Sequence, residues 1–210
     1  MSMIPMTGYK LAPNYNVSKD TPDYVVSMGL TAEAVAKKYG ISREAADTFS
    51  YESHLKAAQA IDAGRFTDEI VPIEVEEVFV KDGKRASSKH TVAMDEGVRR
   101  STTVDALGKL RSAFAQKGIV TAGNASQTSD GAAFTLVVSE EIVKKFNLQP
   151  IARLASCSVA GVDPLYMGIG PCAAIPKALS QAGLKLNDID LIELNEAFAT
   201  QALAVIQESG

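Results

Sequence analysis

Asp130-Gly131-Ala132-Ala133-Phe134-Thr135-Leu136-Val137-Val138 is the stretch on which the fold turns. From Ala132 to Val138 it is almost wholly apolar and rich in Val. It is too short for a buried helix, and it reads as a strand buried on both faces, as in sheets covered by helices on each side. A helical pattern follows from Ser139. Ile151 to Ala160 reads as a second strand, and Gly168-Ile169-Gly170-Pro171 opens a helix that ends near Gly183. Asp190-Leu191-Ile192-Glu193-Leu194 reads as a last strand, with Asn195 placed to cap a helix running to about Glu208. Residues 130–208 thus read strand-helix-strand-helix-strand-helix, an α/β pattern.

The chain before this stretch reads differently. Residues 1–30 carry Pro5, Pro13 and Pro22 with Gly8 and Gly29 and no sustained period, which is loop chemistry. Thr31 is a candidate N-cap for a helix stopped at Gly40. Ser42 caps a second helix, its apolar members Ala45, Phe49, Tyr51, Leu55, Ala58 and Ile61, with Gly64 as its stop. Ile70 to Glu76 alternates apolar and acidic residues, and Pro72 marks it as an edge strand. Residues 81–101 are polar and charged and read as a long functional or mobile excursion. Residues 1–118 together read as a helix- and loop-rich excursion.

Composition narrows the classes. With 210 residues the chain suits one large or two small units, at about 150 residues per domain. Surface scaling predicts roughly 9,400 Å² when compact, enough burial for a sizeable core. A net charge of −4 leaves no electrostatic footprint for nucleic acid or an anionic membrane. No apolar run reaches the length of a membrane span, and the first twenty residues lack the pattern of a secretory signal. Two cysteines and two histidines make neither a disulfide framework nor a spaced metal-ligand set. The expectation is a reducing, cytoplasmic compartment and no metal.

Four features could carry chemistry. Asn195-Glu196-Ala197-Phe198 sits where a strand ends and a helix begins, the place where α/β sheets bind ligands; Asn195 either caps the helix or points its amide at a ligand. The small and polar loop Gly123 to Gly131 is either a solvated turn or a close backbone approach to a ligand. In Met167-Gly168-Ile169-Gly170-Pro171 the glycines permit backbone approach, but the spacing is not a dinucleotide fingerprint. Arg99, Arg100, Lys109, Arg111 and Lys117 form a basic cluster in an acidic chain, either a solvated face or a site for a phosphate-bearing ligand. Cys157 and Cys172 read as small buried apolar residues, and His54 and His90 as surface residues.

Together these segments resemble the thiolase family. The resemblance rests on Glu193-Leu194-Asn195-Glu196-Ala197-Phe198-Ala199, on Val120-Thr121-Ala122-Gly123-Asn124-Ala125-Ser126 through Ser129-Asp130-Gly131-Ala132-Ala133, and on Val162-Asp163-Pro164 with Met167-Gly168-Ile169-Gly170-Pro171. Met28-Gly29-Leu30-Thr31-Ala32-Glu33, Gly64-Arg65-Phe66 with Asp68-Glu69-Ile70-Val71-Pro72, and Lys109-Leu110-Arg111 before Ala113-Phe114 support it, in family order along nearly the whole chain.

The resemblance implies an acyltransferase that forms or cleaves 3-ketoacyl-CoA thioesters through an acyl-Cys intermediate, with coenzyme A as substrate and no further cofactor. It implies a catalytic role for Asn195, which would hold the water of an oxyanion site; such donors contribute about 3–4 kcal/mol each. It implies pantetheine contacts at Ala122 and Ser126, acyl-pocket walls at Met28, Met167 and Phe198, a substrate contact at Ala197, and a nucleotide contact at Arg99 or Arg100. It implies a homodimer or homotetramer at full length, and fatty-acid β-oxidation is favoured. The family's nucleophilic Cys would precede the segment Met1 to Met6, and its Gly-His-Pro motif and second catalytic Cys would follow Gly210. The chain is therefore expected to be an internal piece, inactive alone: residues 1–125 as the loop insertion domain, 126–149 as the closing strand and helix of the first half, and 150–210 as the start of the second half. The other class left open is a non-catalytic thiolase-like protein that binds acyl-CoA or a partner.

Overall fold

The computed structural model describes residues 13–129 and 131–210; the expectations for Met1 to Met6, Pro5, Gly8 and Asp130 fall outside them. The proline-bearing start is not all loop. Asn14 accepts from the amides of Asn16 and Val17 and caps a short helix α1, Tyr15–Asp20. Helix α2, Met28–Tyr39, begins three residues before the expected Thr31 cap. Thr31 lies one turn inside it, and its hydroxyl donates to the Met28 carbonyl at 2.7 Å. The expected stop holds: Gly40 closes α2 in the left-handed region at φ 66°, which a Cβ disfavours. The expected cap of the next helix holds too. Ser42 Oγ accepts from the Ala45 amide at 3.1 Å and starts α3, Arg43–Asp62.

The face that α3 buries is not the expected apolar stripe. Ala46, Asp47 and Ser50 are buried, whereas Ala45 and Leu55 are exposed. Small side chains there let α7, Ala199–Ser209, approach closely. Helices α2 and α3 both pack on α7. The buried apolar residues are mostly small: Ala32, Val35 and Ala36 from α2, Ala46 from α3, and Ala199, Ala202, Ala204 and Val205 from α7.

The stretch 81–101 is no structureless excursion. Strand β1, Ile73–Lys81, turns at Asp82-Gly83 into β2, Lys84–Val92, as an antiparallel hairpin. Both turn residues have positive φ, 53° and 73°, the geometry that Asp-Gly favours in a two-residue hairpin loop. The dipeptide is a signal that the sequence carries plainly. A short helix α4, Val104–Gly108, follows.

The three expected α/β strands do not form ladders among the described residues. Residues 131–139, 152–163 and 191–196 carry no regular structure. Phe134 is 96% exposed, so the segment expected to be buried on both faces is bare on both. The physical reason is the lack of a sheet partner, since strand geometry is held by ladder bonds that only a neighbour supplies. One segment keeps the strand's period. From Ser156 to Asp163 burial alternates residue by residue. Ser156 and Ser158 donate to the carbonyls of Ala178 and Ala174 on α6, Gly170–Ala182, at 2.8 and 2.7 Å. Between the first two of these segments lies α5, Glu140–Phe146, capped by Ser139 as its sequence suggests. The accessible surface is 16481 Å², against roughly 9,400 Å² for a compact chain of this mass.

Candidate functional site

The loop after Gly118 is built from the backbone outward. Glu33 of α2 accepts from the amides of Ile119 and Val120 at 3.0 and 2.9 Å. A side chain at Gly118 would run into that carboxylate. Val120 and Thr121 are fully buried. Asn124 then ties the loop to the core: its Oδ1 accepts from the Thr121 amide at 2.7 Å, and its Nδ2 donates to Asp47 Oδ1 at 2.9 Å and to the Ile119 carbonyl at 3.0 Å. Asp47 also accepts from Arg43 Nε at 2.6 Å, and Arg43 reaches on to the carbonyls of Leu107 and Leu110. A buried carboxylate is tolerated here because donors meet both its oxygens.

Beyond Asn124 the loop pairs with the segment before α7. The Ser126 amide donates to the Ala197 carbonyl at 2.9 Å, the Ala199 amide donates to the Asn124 carbonyl at 2.9 Å, and Ala125 and Phe198 form an antiparallel bridge. This pairing corrects the expectation for Asn195. The backbone from Ala197 to Ala199 is committed to the neighbouring loop, so α7 starts at Ala199 with Phe198 as its cap residue. Asn195 is an exposed residue on the wall of a cleft, not a helix cap.

The cleft has a volume of about 1360 Å³. Ala122, Ser126, Asn195, Glu196 and Arg99 line it, with Ser53 and His54 from α3. Ser53 Oγ donates to Glu196 Oε2 at 2.6 Å. The Arg99 amide donates to His54 Nδ1 at 3.2 Å. Burial, then the Arg99 charge, hold the His54 imidazole below its ordinary pKa, with Glu196 pulling the other way. His54 is thus half-buried among charges, not the plain surface residue expected. No local pattern revealed this, because its partners lie 45 and 142 positions away (99 − 54 and 196 − 54).

The structure brings together Ala122, Ser126, Asn195 and Arg99 of the expected site residues. Arg100 points its guanidinium at Asp62 instead, at 2.8 and 2.9 Å to the two carboxylate oxygens. Lys109, Arg111 and Lys117 are not among the cleft residues. Met28, Met167, Ala197 and Phe198 lie outside the cleft wall as well. Phe198 meets Phe114 edge to face, centroids 6.1 Å apart, and Phe114 lies against Gly29, next to Met28. Met28 and Met167 are exposed. Of the remaining nucleophiles and bases, Cys157 is exposed rather than buried, Cys172 is half-buried, and His90 sits on β2 opposite Val75. No helix among the described residues is long and apolar enough to cross a membrane.

A family profile described as "Thiolase, N-terminal domain" matches residues 6–141, and one described as "Thiolase, C-terminal domain" matches residues 148–210. The chain is 51% identical to the 3-ketoacyl-CoA thiolase of Bacillus subtilis (strain 168), over all of this chain and 54% of that protein. Its structure superposes on the dimeric peroxisomal thiolase of Saccharomyces cerevisiae with TM-score 0.82 at 38% identity, covering 98% of this chain and 50% of the other. The acetyl-CoA acetyltransferase of Bacillus anthracis gives TM-score 0.79 at 45% identity, covering 87% and 44%. The chain spans about half the length of the curated relatives it matches. Profiles over both parts of the chain, and solved thiolases that share its fold, lead to one conclusion: the chain belongs to the thiolase family.

Proposed function

We propose that these residues work within a longer protein that transfers acyl groups between a cysteine thiol and coenzyme A, forming or cleaving 3-ketoacyl-CoA. The observation that carries this reading is the pairing of the Asn124–Ser126 backbone with Ala197–Ala199, which sets Asn195 on the wall of the same cleft as Ala122, Ser126 and Arg99. A carboxamide on a cleft wall can donate to a thioester oxygen or to a water beside it, and a guanidinium at another wall can meet a phosphate. Asn195 is the catalytic group of this set, and Arg99, rather than the Asp62-bound Arg100, is the nucleotide contact. Met28, Met167, Ala197 and Phe198 would face the acyl chain once further protein covers their exposed side.

The nucleophilic Cys, the His that activates it and the second Cys that acts as acid and base at the α-carbon would come from the rest of the protein, so the described chain is inactive alone. Residues 1–125 serve as the loop domain, 126–149 close the first half and 150–210 open the second. Coenzyme A is the substrate and no other cofactor is required. The full-length protein works as a homodimer or homotetramer in fatty-acid degradation. Two free thiols suit a reducing compartment such as the cytoplasm.

The test is to express the chain extended by its flanking coding sequence and to follow CoA-dependent cleavage of a 3-ketoacyl-CoA. Turnover is expected, with Asn195→Ala lowering kcat by about 10²–10³ while the fold persists. CoA binding without turnover in the extended protein would favour the non-catalytic reading, and full activity in Asn195→Ala would remove Asn195 from the mechanism.

A further inference from the structure

One turn of α3 touches two distant segments that also line the cleft. Ser53 donates to Glu196, next to Asn195, and His54 accepts from the Arg99 backbone at 3.2 Å. The Arg99 segment follows an exposed hairpin and lies in a stretch without regular structure between β2 and α4. Its amide has no ladder or helix to satisfy it, and the imidazole takes that part.

We propose that His54 is a positioning residue: its unprotonated Nδ1 latches the Arg99 backbone onto α3, and so sets the Arg99 guanidinium at the cleft for an anionic phosphate group. A backbone amide can only donate, so Nδ1 must be the acceptor and the ring must be neutral. Protonation converts Nδ1 to a donor facing a donor, and the latch opens. The charged groups that line the cleft with His54 are Lys56 on its own helix, Arg99 in the segment before α4, and Glu193 and Glu196 in the segment before α7. Burial and Arg99 favour the neutral ring, and Glu196 opposes them. The latch is therefore closed at neutral pH and opens as pH falls through a value below the ordinary one for histidine. The ligand half of this proposal rests on the reading of Arg99 as a phosphate contact; the latch itself does not.

Amide hydrogen exchange of the 15N-labelled protein, expressed with its flanking coding sequence, tests it. Protection of the Arg99 amide, corrected for the intrinsic rate, is compared at about pH 7.5 and about pH 5, either side of the ordinary histidine value. The wild-type protein is expected to lose about tenfold in protection at the lower pH, the loss of one hydrogen bond and a donor clash. His54→Ala should be unprotected at both values. His54→Asn, whose Oδ1 can take the place of Nδ1 and does not titrate, should be protected at both. Equal protection in wild type and His54→Ala, or the same pH dependence in His54→Asn, overturns the latch.

CoA is then titrated into wild type and His54→Asn. The wild type should lose about fivefold more affinity between the two pH values than His54→Asn, which carries any titration of CoA's own phosphates. If CoA fails to bind while the amide pattern holds, the latch stands and the ligand reading of Arg99 falls.

Discussion

Asp47 is the residue on which most of the cleft's scaffold converges. It is 1% exposed, and it accepts from Arg43 on its own helix and from Asn124 across the core. Removing it takes the Nε partner from the Arg43 guanidinium and one of two acceptors from the buried Asn124 carboxamide. Asp47→Ala should cost about 3 kcal/mol, the usual consequence of breaking one side of a buried charged network. A urea titration would show the midpoint falling accordingly; a midpoint within a few tenths of a molar of wild type would mean that water replaces the carboxylate. The scaffold role of Asp47 is not legible in the sequence, because a carboxylate on a helix face reads as solvated surface until its partners are seen. Arg99 and Asn195 were legible as residue types. Asn195's freedom from capping was not, since it depends on the backbone of residues 124–126, some seventy positions earlier (195 − 126 = 69).

Among elements, most of those with local signals matched their sequence, the Thr31 cap excepted, and those needing a distant partner did not. Ser42, Ser139, Gly40 and Gly183 act where their chemistry places them, because a cap needs only its own first or last turn. The hairpin is also local, and Asp82-Gly83 announces it. Its register pairs Glu76 with Lys89 and Val75 with His90, and most of its residues are exposed. Its order therefore rests largely on the turn and the ladder. Gly83→Ala puts a Cβ at φ 73° and should cost the hairpin about 1 kcal/mol. Amide exchange in β1 and β2 would speed several-fold, while helices α2, α3 and α7 exchange as before. Faster exchange throughout the helices would show instead that the hairpin supports the core.

At the scale of the molecule, the helical core is finished and the sheet is not. Phe134, Leu136 and Val137 are 96, 82 and 79% exposed, and Ile151, Leu154 and Leu191 are similarly bare. Contiguous apolar surface of this kind, on unpaired backbone, drives association. The isolated chain should therefore scatter light as oligomers that persist or grow with added salt, because salt screens charge but not apolar contact. Phe134→Asp with Leu136→Asp should reduce that association. A monodisperse monomer at all salt concentrations would mean that the segments find cover within the chain. The share of each relative that the chain spans, about half, is consistent with cover supplied by further protein.

The sequence by itself determined most of the longer helices, the caps at Ser42 and Ser139, the stops at Gly40 and Gly183, the family motifs and the apolar character of the strand segments, since each depends on side-chain chemistry within a few residues. Only the tertiary structure decided that small residues rather than the apolar stripe of α3 meet α7, that Asn195 lines a cleft, that Arg100 binds Asp62 while Arg99 lines the cleft, and that His54 stands near both Arg99 and Glu196. These are contacts between groups far apart along the chain. Their formation depends on which surfaces the packed helices bring within hydrogen-bond reach, and no local pattern encodes that distance.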